Sequence, residues 1–199
     1  VARGDIIVIS APSGSGKTTI CRALLARVEG LILSVSYTTR ERRPGETDGK
    51  DYYFVHAEEF DKMVKSKEFL EYACVYGNMY GTSRAAVEAI VASGQDALLE
   101  IDVQGGRSVK MSAPEAVRIG ILPPDRDTLR NRLFGRGRDS RDEMERRLEA
   151  ARQEMAELKT YDYLVVNNDL DTAVRQVEWI VRARRLRRER TADAVDRIL

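Results

Sequence analysis

The run Ile6-Ile7-Val8-Ile9, followed by Ser10-Ala11-Pro12-Ser13-Gly14-Ser15-Gly16-Lys17-Thr18-Thr19 and then Ile20-Cys21-Arg22-Ala23-Leu24-Leu25, constrains this chain more than any other stretch. It reads as a strand, a phosphate loop and a helix. The loop meets the pattern G-x-x-x-x-G-K-[ST] at every fixed place but the first, where Ala11 replaces Gly. Because glycine's advantage lies at positive φ, Ala11 is tolerable if the backbone there has negative φ. Backbone N–H groups of the loop and the positive end of the helix can surround phosphate oxygens. The Lys17 ammonium can reach the β- and γ-phosphates, and the Thr18 hydroxyl can join Mg²⁺. The expected ligand is a nucleoside triphosphate, held by Ala11, Pro12, Ser13, Gly14, Ser15, Gly16, Lys17, Thr18 and Thr19. A plain glycine-serine turn has no reason to place Gly16-Lys17-Thr18 at a helix start.

Outward from this loop, helical and strand patterns alternate. Ile20, Leu24 and Val28 share a helix face, with Gly30 beyond its end, and residues 31–36 read as a strand. The stretch 37–50 is a polar loop rich in arginine. Short aromatic and β-branched runs at 52–55 and 69–75 flank a helical piece carrying Phe60, Met63 and Val64, which predicts a small inserted lobe of antiparallel strands. A helix follows over 84–91, then an apolar strand over 97–102 that ends in the carboxylates Glu100 and Asp102. Residues 117–122 form a further strand, and Leu129 and Leu133 mark a helix stopping near Gly135 and Gly137. Met144, Leu148, Ala151, Met155 and Leu158 give an amphipathic helix over 141–158. A last strand at 163–166 and a closing helix over 170–186 complete the pattern. Largely apolar strands alternating with helices imply an α/β fold, a parallel sheet flanked by helices on both faces, with ligands beyond the strand C-termini.

At 199 residues the chain is long enough for one good core, or for a domain with an insertion. Charged residues make up 33%, yet Lys+Arg 33 and Asp+Glu 32 nearly cancel, so composition gives no ground for a nucleic-acid partner. Cys21, Cys74 and the single His56 do not form a zinc pattern. No apolar run approaches the length of a membrane span, and the start lacks a signal-peptide pattern. The cytoplasm is therefore the expected compartment, with no membrane partner. Homo-oligomer formation is compatible with the sequence.

A second anion site is predicted by Arg40 and Arg43, three residues apart in the segment Thr38-Thr39-Arg40-Glu41-Arg42-Arg43-Pro44-Gly45-Glu46. Two guanidinium forks can grip one phosphate, and Ser36, Tyr52 and Tyr80 offer hydroxyls to complete the cage. An isolated R-x-x-R would read as a solvated loop. Beside a phosphate loop it gains weight, because phosphoryl transfer between two phosphorylated molecules needs two anion sites.

From the first strand to the closing helix the chain resembles the guanylate kinase family, in its bacterial form, among P-loop nucleoside monophosphate kinases. The resemblance rests on the loop at 10–18, Ser36-Tyr37-Thr38-Thr39-Arg40 continuing to Glu46, Gly49-Lys50-Asp51-Tyr52-Tyr53-Phe54, Gly77-Asn78-Met79-Tyr80-Gly81-Thr82 and Ile101-Asp102-Val103-Gln104-Gly105. It implies a P-loop NTPase core (1–36, 84–124 and 159–199), a GMP-binding lobe (37–83) and an arginine-rich lid (125–158). It also implies Mg²⁺-dependent transfer of the ATP γ-phosphoryl group to GMP, and to dGMP. Ser36, Arg40, Arg43, Tyr52 and Tyr80 would contact the acceptor phosphate. Glu71, Thr82 and Asp102 would read guanine, with Glu46 and Glu100 in the same GMP-binding set. One carboxylate such as Glu71 can accept from guanine N1–H and N2–H₂ together while the Thr82 hydroxyl donates to O6. Adenine offers no such donor pair.

The resemblance further implies catalytic roles for Lys17, Arg40, Arg132, Arg136 and Arg147, and adenine contact for Asn167, where a turn-forming Asn is the alternative. The family more often has Asp where Glu100 stands, and the extra methylene could shift its contacts to arginines or to the Mg²⁺ water shell. Charge spreads over the equatorial oxygens of a moving phosphoryl group, so mobile arginines suit the task. Two other readings are weighed. A kinase for an acceptor such as ribose 1,5-bisphosphate would have no use for the guanine-reading set, and a non-catalytic scaffold module would have a degraded loop. The basic stretch 182–190 reads as a solvated helix face, with an acidic partner as the alternative.

Overall fold

A computed structural model describes residues 2–134, 141–196 and 198. The first strand, β1 (Ile6–Ser10), is buried along its whole length and lies at the centre of a five-stranded parallel sheet of order β2-β7-β1-β8-β9. Its neighbours are β7 (Asp96–Glu100) and β8 (Val117–Leu122), with β2 (Leu31–Leu33) and β9 (Tyr163–Val166) at the edges. The apolar run of β1 divides by the two-residue period of a strand. Ile7 and Ile9 face a core shared with α1 (Lys17–Arg27) and α7 (Leu170–Arg185), built on Ile20, Leu24, Val174, Val177 and Val181. Ile6 and Val8 face the other core, under α3 (Arg84–Ala92) and α4 (Val103–Ser112), built on Val87, Val91, Leu99 and Val109. Both sheet faces are covered, as a parallel sheet requires.

Residues 37–83 build a second sheet of order β4-β3-β6-β5, from β3 (Tyr37–Thr38), β4 (Tyr53–Phe54), β5 (Phe69–Val75) and β6 (Asn78–Ser83). The expectation of antiparallel strands holds for β3–β6 and β5–β6 but fails for β3–β4, which are parallel. The long connection between β3 and β4 makes that pairing accessible. Helix α2 (Ala57–Lys65) covers this sheet with the fully buried Phe60, whose ring stacks on Phe69 at 4.5 Å between centroids.

Two element ends differ from expectation, and one helix was not expected. The strand at 31–36 stops at Leu33, and the next residue continues the ladder only through the Ser34 N–H to the Leu98 carbonyl, 2.9 Å. Helix α4 was hidden in the sequence by Gly105 and Gly106, which cost a helix about 1 kcal/mol each relative to Ala. They are required by packing, since a Cβ on Gly106 would stand 3.0 Å from Ser10 Oγ. The closing helix ends at Arg185, and α8 (Arg188–Asp196) follows.

The basic stretch 182–190 is not simply a solvated face. Arg190 reaches Asp96 (2.5 Å) and Asp5 (3.1 Å), Arg185 reaches Asp96 (2.7 Å) and Arg184 reaches Asp5 (3.1 Å). Asp96 is almost fully buried, and the ion pairs tie the C-terminal helices to the starts of β1 and β7. Helices α5 (Arg126–Phe134) and α6 (Arg141–Leu158) pack through Leu129, Leu133, Leu148, Ala151 and Met155. The side chain of Met144 lies outside the described residues. Among the described residues no helix is long and apolar enough to cross a membrane.

Candidate active site

The loop after β1 follows from two glycines that hold left-handed backbone, Gly14 at φ 84° and Gly16 at φ 88°. Ala11 is not among the residues of positive φ, which satisfies the condition under which it can replace glycine. Gly16 caps α1 without a side chain, so the first N–H groups of the helix stay directed at the loop. Asn167 supports the loop from beneath: it is buried, and its Nδ2 donates to the Ser15 carbonyl at 2.8 Å. A Cβ on Gly16 would stand 2.6 Å from that nitrogen.

Residues 11–19 line a donor cleft together with Val75, Tyr76, Asp102, Arg132 and Glu154. Lys17 Nζ donates to the Ile101 carbonyl at 2.9 Å, beyond the end of β7. The Thr18 hydroxyl donates to the Glu100 carboxylate. Glu100 therefore meets the loop itself through Thr18.

A second cleft opens on the other side of Lys17, lined by Ser36, Tyr52, Glu71, Ala73, Val75, Tyr76, Tyr80, Glu100, Ile101 and Asp102. Arg40 stands at its edge with its two terminal guanidinium nitrogens on Glu46, at 2.7 and 3.1 Å, and its Cζ over the Tyr52 ring, 5.4 Å from the centroid. Glu46 also accepts the Arg43 backbone N–H at 2.8 Å. This pairing raises the Arg40 pKa and holds the Glu46 carboxyl below its ordinary value. Glu46 thus presents as a brace for Arg40 rather than as a wall of the cleft. The Arg43 side chain is exposed. Tyr52 and Tyr80 meet edge to face at 5.8 Å between ring centroids.

Glu71 is aimed into this cleft by a bulge in β5 between Phe69 and Glu71. Only 5% exposed, it accepts from the Thr82 hydroxyl at 2.6 Å. Burial pushes its carboxyl from 4.5 up to about 7; the Thr82 hydrogen bond opposes that shift and the Asp102 charge adds to it. Asp102 caps α4 through Oδ1, which accepts the Gly105 N–H at 2.9 Å. Gly105 is the close neighbour of both, since a Cβ there would stand 2.6 Å from Glu71 Oε2 and 3.1 Å from Asp102 Oδ1. Thr82 is fully buried behind Glu71 and its single proton is given to that carboxylate.

The structure thus brings together Lys17, Ser36, Tyr52, Glu71, Tyr80, Glu100 and Asp102 on one cleft, and the loop with Arg132 on the other. Thr82 and Asn167 act from behind these walls, and Arg136 lies outside the described residues. Arg147 sits half-buried on α6, close enough to Tyr76 to act on its hydroxyl. Tyr76, Gly105 and Glu154 are site residues that the sequence reading missed. The Tyr76-Gly77 pair at a hairpin tip and the glycines after Asp102 were available signals. Glu154 had none, being one polar position among many on an amphipathic helix.

A Gly-Lys-Thr loop after the central strand of a parallel sheet, with an inserted four-stranded sheet whose Glu71 and Tyr80 line a second cleft beside it, is the arrangement of a P-loop nucleoside monophosphate kinase. A profile of the guanylate kinase family matches residues 3–184. The chain is 47% identical over 199 residues to the guanylate kinase of Methylococcus capsulatus, covering 100% of this chain and 98% of that protein. It is 51% identical over 188 residues to the guanylate kinase of Neisseria gonorrhoeae, covering 94% and 92%. The crystal structure of guanylate kinase from Anaplasma phagocytophilum superposes with a TM-score of 0.79 at 36% identity, over 95% of this chain and 90% of that one. The chain belongs to the guanylate kinase family.

Proposed function

We propose that the two clefts work as one phosphotransfer site, in which ATP held on residues 11–19 passes its γ-phosphoryl group to the 5′-phosphate of GMP, giving ADP and GDP. The observation that carries this reading is the wall the clefts share, Lys17, Val75, Tyr76 and Asp102, with the buried Glu71 carboxylate lining the acceptor side. Residues 37–83 serve as the monophosphate lobe and 125–158 as the lid, on a core of 1–36, 84–124 and 159–199.

The chemistry asks mainly for position and charge. Lys17 exchanges the Ile101 carbonyl for phosphate oxygens and sits between donor and acceptor. The Arg40 fork, held by Glu46 and Tyr52, grips the acceptor phosphate, with Ser36, Arg43, Tyr52 and Tyr80 completing the cage. Glu71 accepts from guanine N1–H and N2–H₂, and Thr82 fixes its carboxylate rather than reaching O6 itself. Asp102 stands at the same edge. Adenine would leave the buried carboxylate unpaired, which selects against it. The incoming phosphate oxygen attacks in line and the ADP oxygen leaves, so the enzyme forms no covalent intermediate. Arg132, together with Arg136 and Arg147, supplies charge as the group moves.

Thr18 of the donor cleft and Glu100 of the acceptor cleft, in contact with each other, are the hard oxygen donors that suit Mg²⁺. Thr18 and Glu100 would hold Mg²⁺ together with the nucleotide, and the ion would supply positive charge against the triphosphate. This reading assigns no residue to the ribose 2′ position, so dGMP is expected to serve as well. The cytoplasm, where ATP and GMP are both at hand, is the compartment this reading assigns.

ADP production from ATP and Mg²⁺ is to be measured with GMP, dGMP, AMP or ribose 1,5-bisphosphate as acceptor, and with Lys17→Ala as control. Activity is expected with GMP and dGMP alone and is lost in the control. Absence of GMP-dependent ADP would refute the reading.

A further inference from the structure

Asn167 stands where the loop after β1 meets the end of the parallel sheet. Its backbone N–H donates to the Leu122 carbonyl at 2.8 Å, one residue past the end of β9. Its side chain is buried, and Nδ2 donates to the Ser15 carbonyl at 2.8 Å across 152 residues of sequence. Only the amide nitrogen can face that carbonyl, since Oδ1 has no proton to give. One residue thus ties the loop to the sheet.

The bond fixes more than a carbonyl. The Ser15 C=O and the Gly16 N–H belong to one planar trans peptide, so they point in opposite directions. With the carbonyl held against Asn167, the Gly16 N–H is turned away from it, toward the donor cleft that Gly16 lines. Gly16 suits the arrangement twice over: it holds φ 88°, and a Cβ on it would stand 2.6 Å from Asn167 Nδ2. The Ser15 N–H closes the turn on the Pro12 carbonyl at 3.1 Å. Asn167 itself is not among the described residues that line the donor cleft.

We infer that Asn167 is a positioning residue for the triphosphate: by holding the Ser15 carbonyl it aims the Gly16 N–H at a phosphate oxygen, whatever base the nucleotide carries. The inference rests on the reading of residues 11–19 as the triphosphate site. It requires a neutral amide at position 167. A carboxylate of nearly the same shape cannot donate to the Ser15 carbonyl and repels it, which frees the peptide plane. Adenine contact, the role that the family resemblance attaches to this position, would instead act on the base alone.

The test is isothermal titration of wild type, Asn167→Asp and Asn167→Ala with ATP and with inorganic tripolyphosphate, which has the tail and no base. EDTA keeps metal out of the comparison, and circular dichroism melts establish that each variant is folded. Both variants are expected to bind the two ligands about tenfold more weakly, by equal factors, with the KM for GMP unchanged. In wild type, tripolyphosphate should move the Gly16 amide resonance, while adenosine should leave the Asn167 side-chain resonance in place. These two readings need no variant. A loss for ATP alone, unchanged binding of both ligands, or an Asn167 resonance that follows adenosine overturns the proposal. Should wild type bind both ligands and the variants bind them as well, this inference alone fails. A wild type that binds neither removes the reading on which it rests.

Discussion

Glu71→Gln is expected to make the protein more stable and far less active toward GMP. Removed from water, the Glu71 carboxyl rises from 4.5 to about 7, which at 1.36 kcal/mol per pH unit disfavours its ionised form by about 3 kcal/mol. A neutral amide of nearly the same shape escapes that penalty and keeps an oxygen for the Thr82 hydroxyl, so roughly 1–3 kcal/mol of stability is recovered at alkaline pH. For a chain of this length that corresponds to a melting temperature higher by roughly 3–10 °C. The folded chain holds the Glu71 proton to higher pH than the unfolded chain does. Wild-type stability from this group is therefore full below about 4.5 and falls as pH rises toward 7. The advantage of Gln is complete at pH 8 and nearly gone near pH 4.5, which thermal unfolding by circular dichroism at the two pH values will read. Over the same range the wild-type KM for GMP should rise as pH falls below about 7, because the protonated carboxyl no longer accepts from guanine. In Glu71→Gln, kcat/KM for GMP should fall at least ~100-fold while the KM for ATP holds. A variant that melts no higher than wild type at pH 8, or gains equally at both pH values, would refute the desolvation argument. A KM for GMP that stays flat from pH 8 to pH 6 would refute the carboxylate as base reader.

Arg40→Lys should lower kcat/KM for GMP by roughly ten- to a hundredfold in steady-state assays, because a point charge cannot replace the fork that spans both Glu46 oxygens and lies on Tyr52. Gly105→Ala should raise the KM for GMP about tenfold or more and leave the KM for ATP unchanged, since the added Cβ falls 2.6 Å from Glu71 Oε2. Arg190→Ala should cost about 2 kcal/mol and lower the melting temperature by roughly 4–8 °C with little change in kcat; Asp96 keeps Arg185 but loses its closer partner. An Arg190→Ala chain that melts with wild type would show the C-terminal ion pairs to be without net effect.

Local patterning carried much of the fold because the features concerned are local in cause. The β1 run is apolar on both faces because both are covered, and the loop after it needs positive φ where glycine stands. The places of α1, α3 and α7 follow from helical spacing of residues that end up buried, such as Ile20, Leu24, Val87, Val91, Val174, Val177 and Val181. What failed did so where a distant contact overrides a local preference. Gly105 and Gly106 argue against a helix until Glu71 and Ser10 are found against them. The basic stretch after Glu178 reads as solvated until Asp5 and Asp96, far away in sequence, are found beside it.

By itself the sequence determined that a strand, a Gly-Lys-Thr loop and a helix open a parallel α/β sheet, and it predicted a second anion site and a guanine-reading carboxylate beside them. These rest on backbone conformation and on the fixed chemistry of Lys, Arg and Glu at set spacing. Only the tertiary structure decided that Glu46 braces Arg40, that Thr82 and Asn167 work from behind the walls, and that Glu154 lines the cleft of residues 11–19. Each of those facts is a meeting of side chains from different elements, and which elements meet is set by strand order, a property of the packed sheet that no periodicity along the chain encodes.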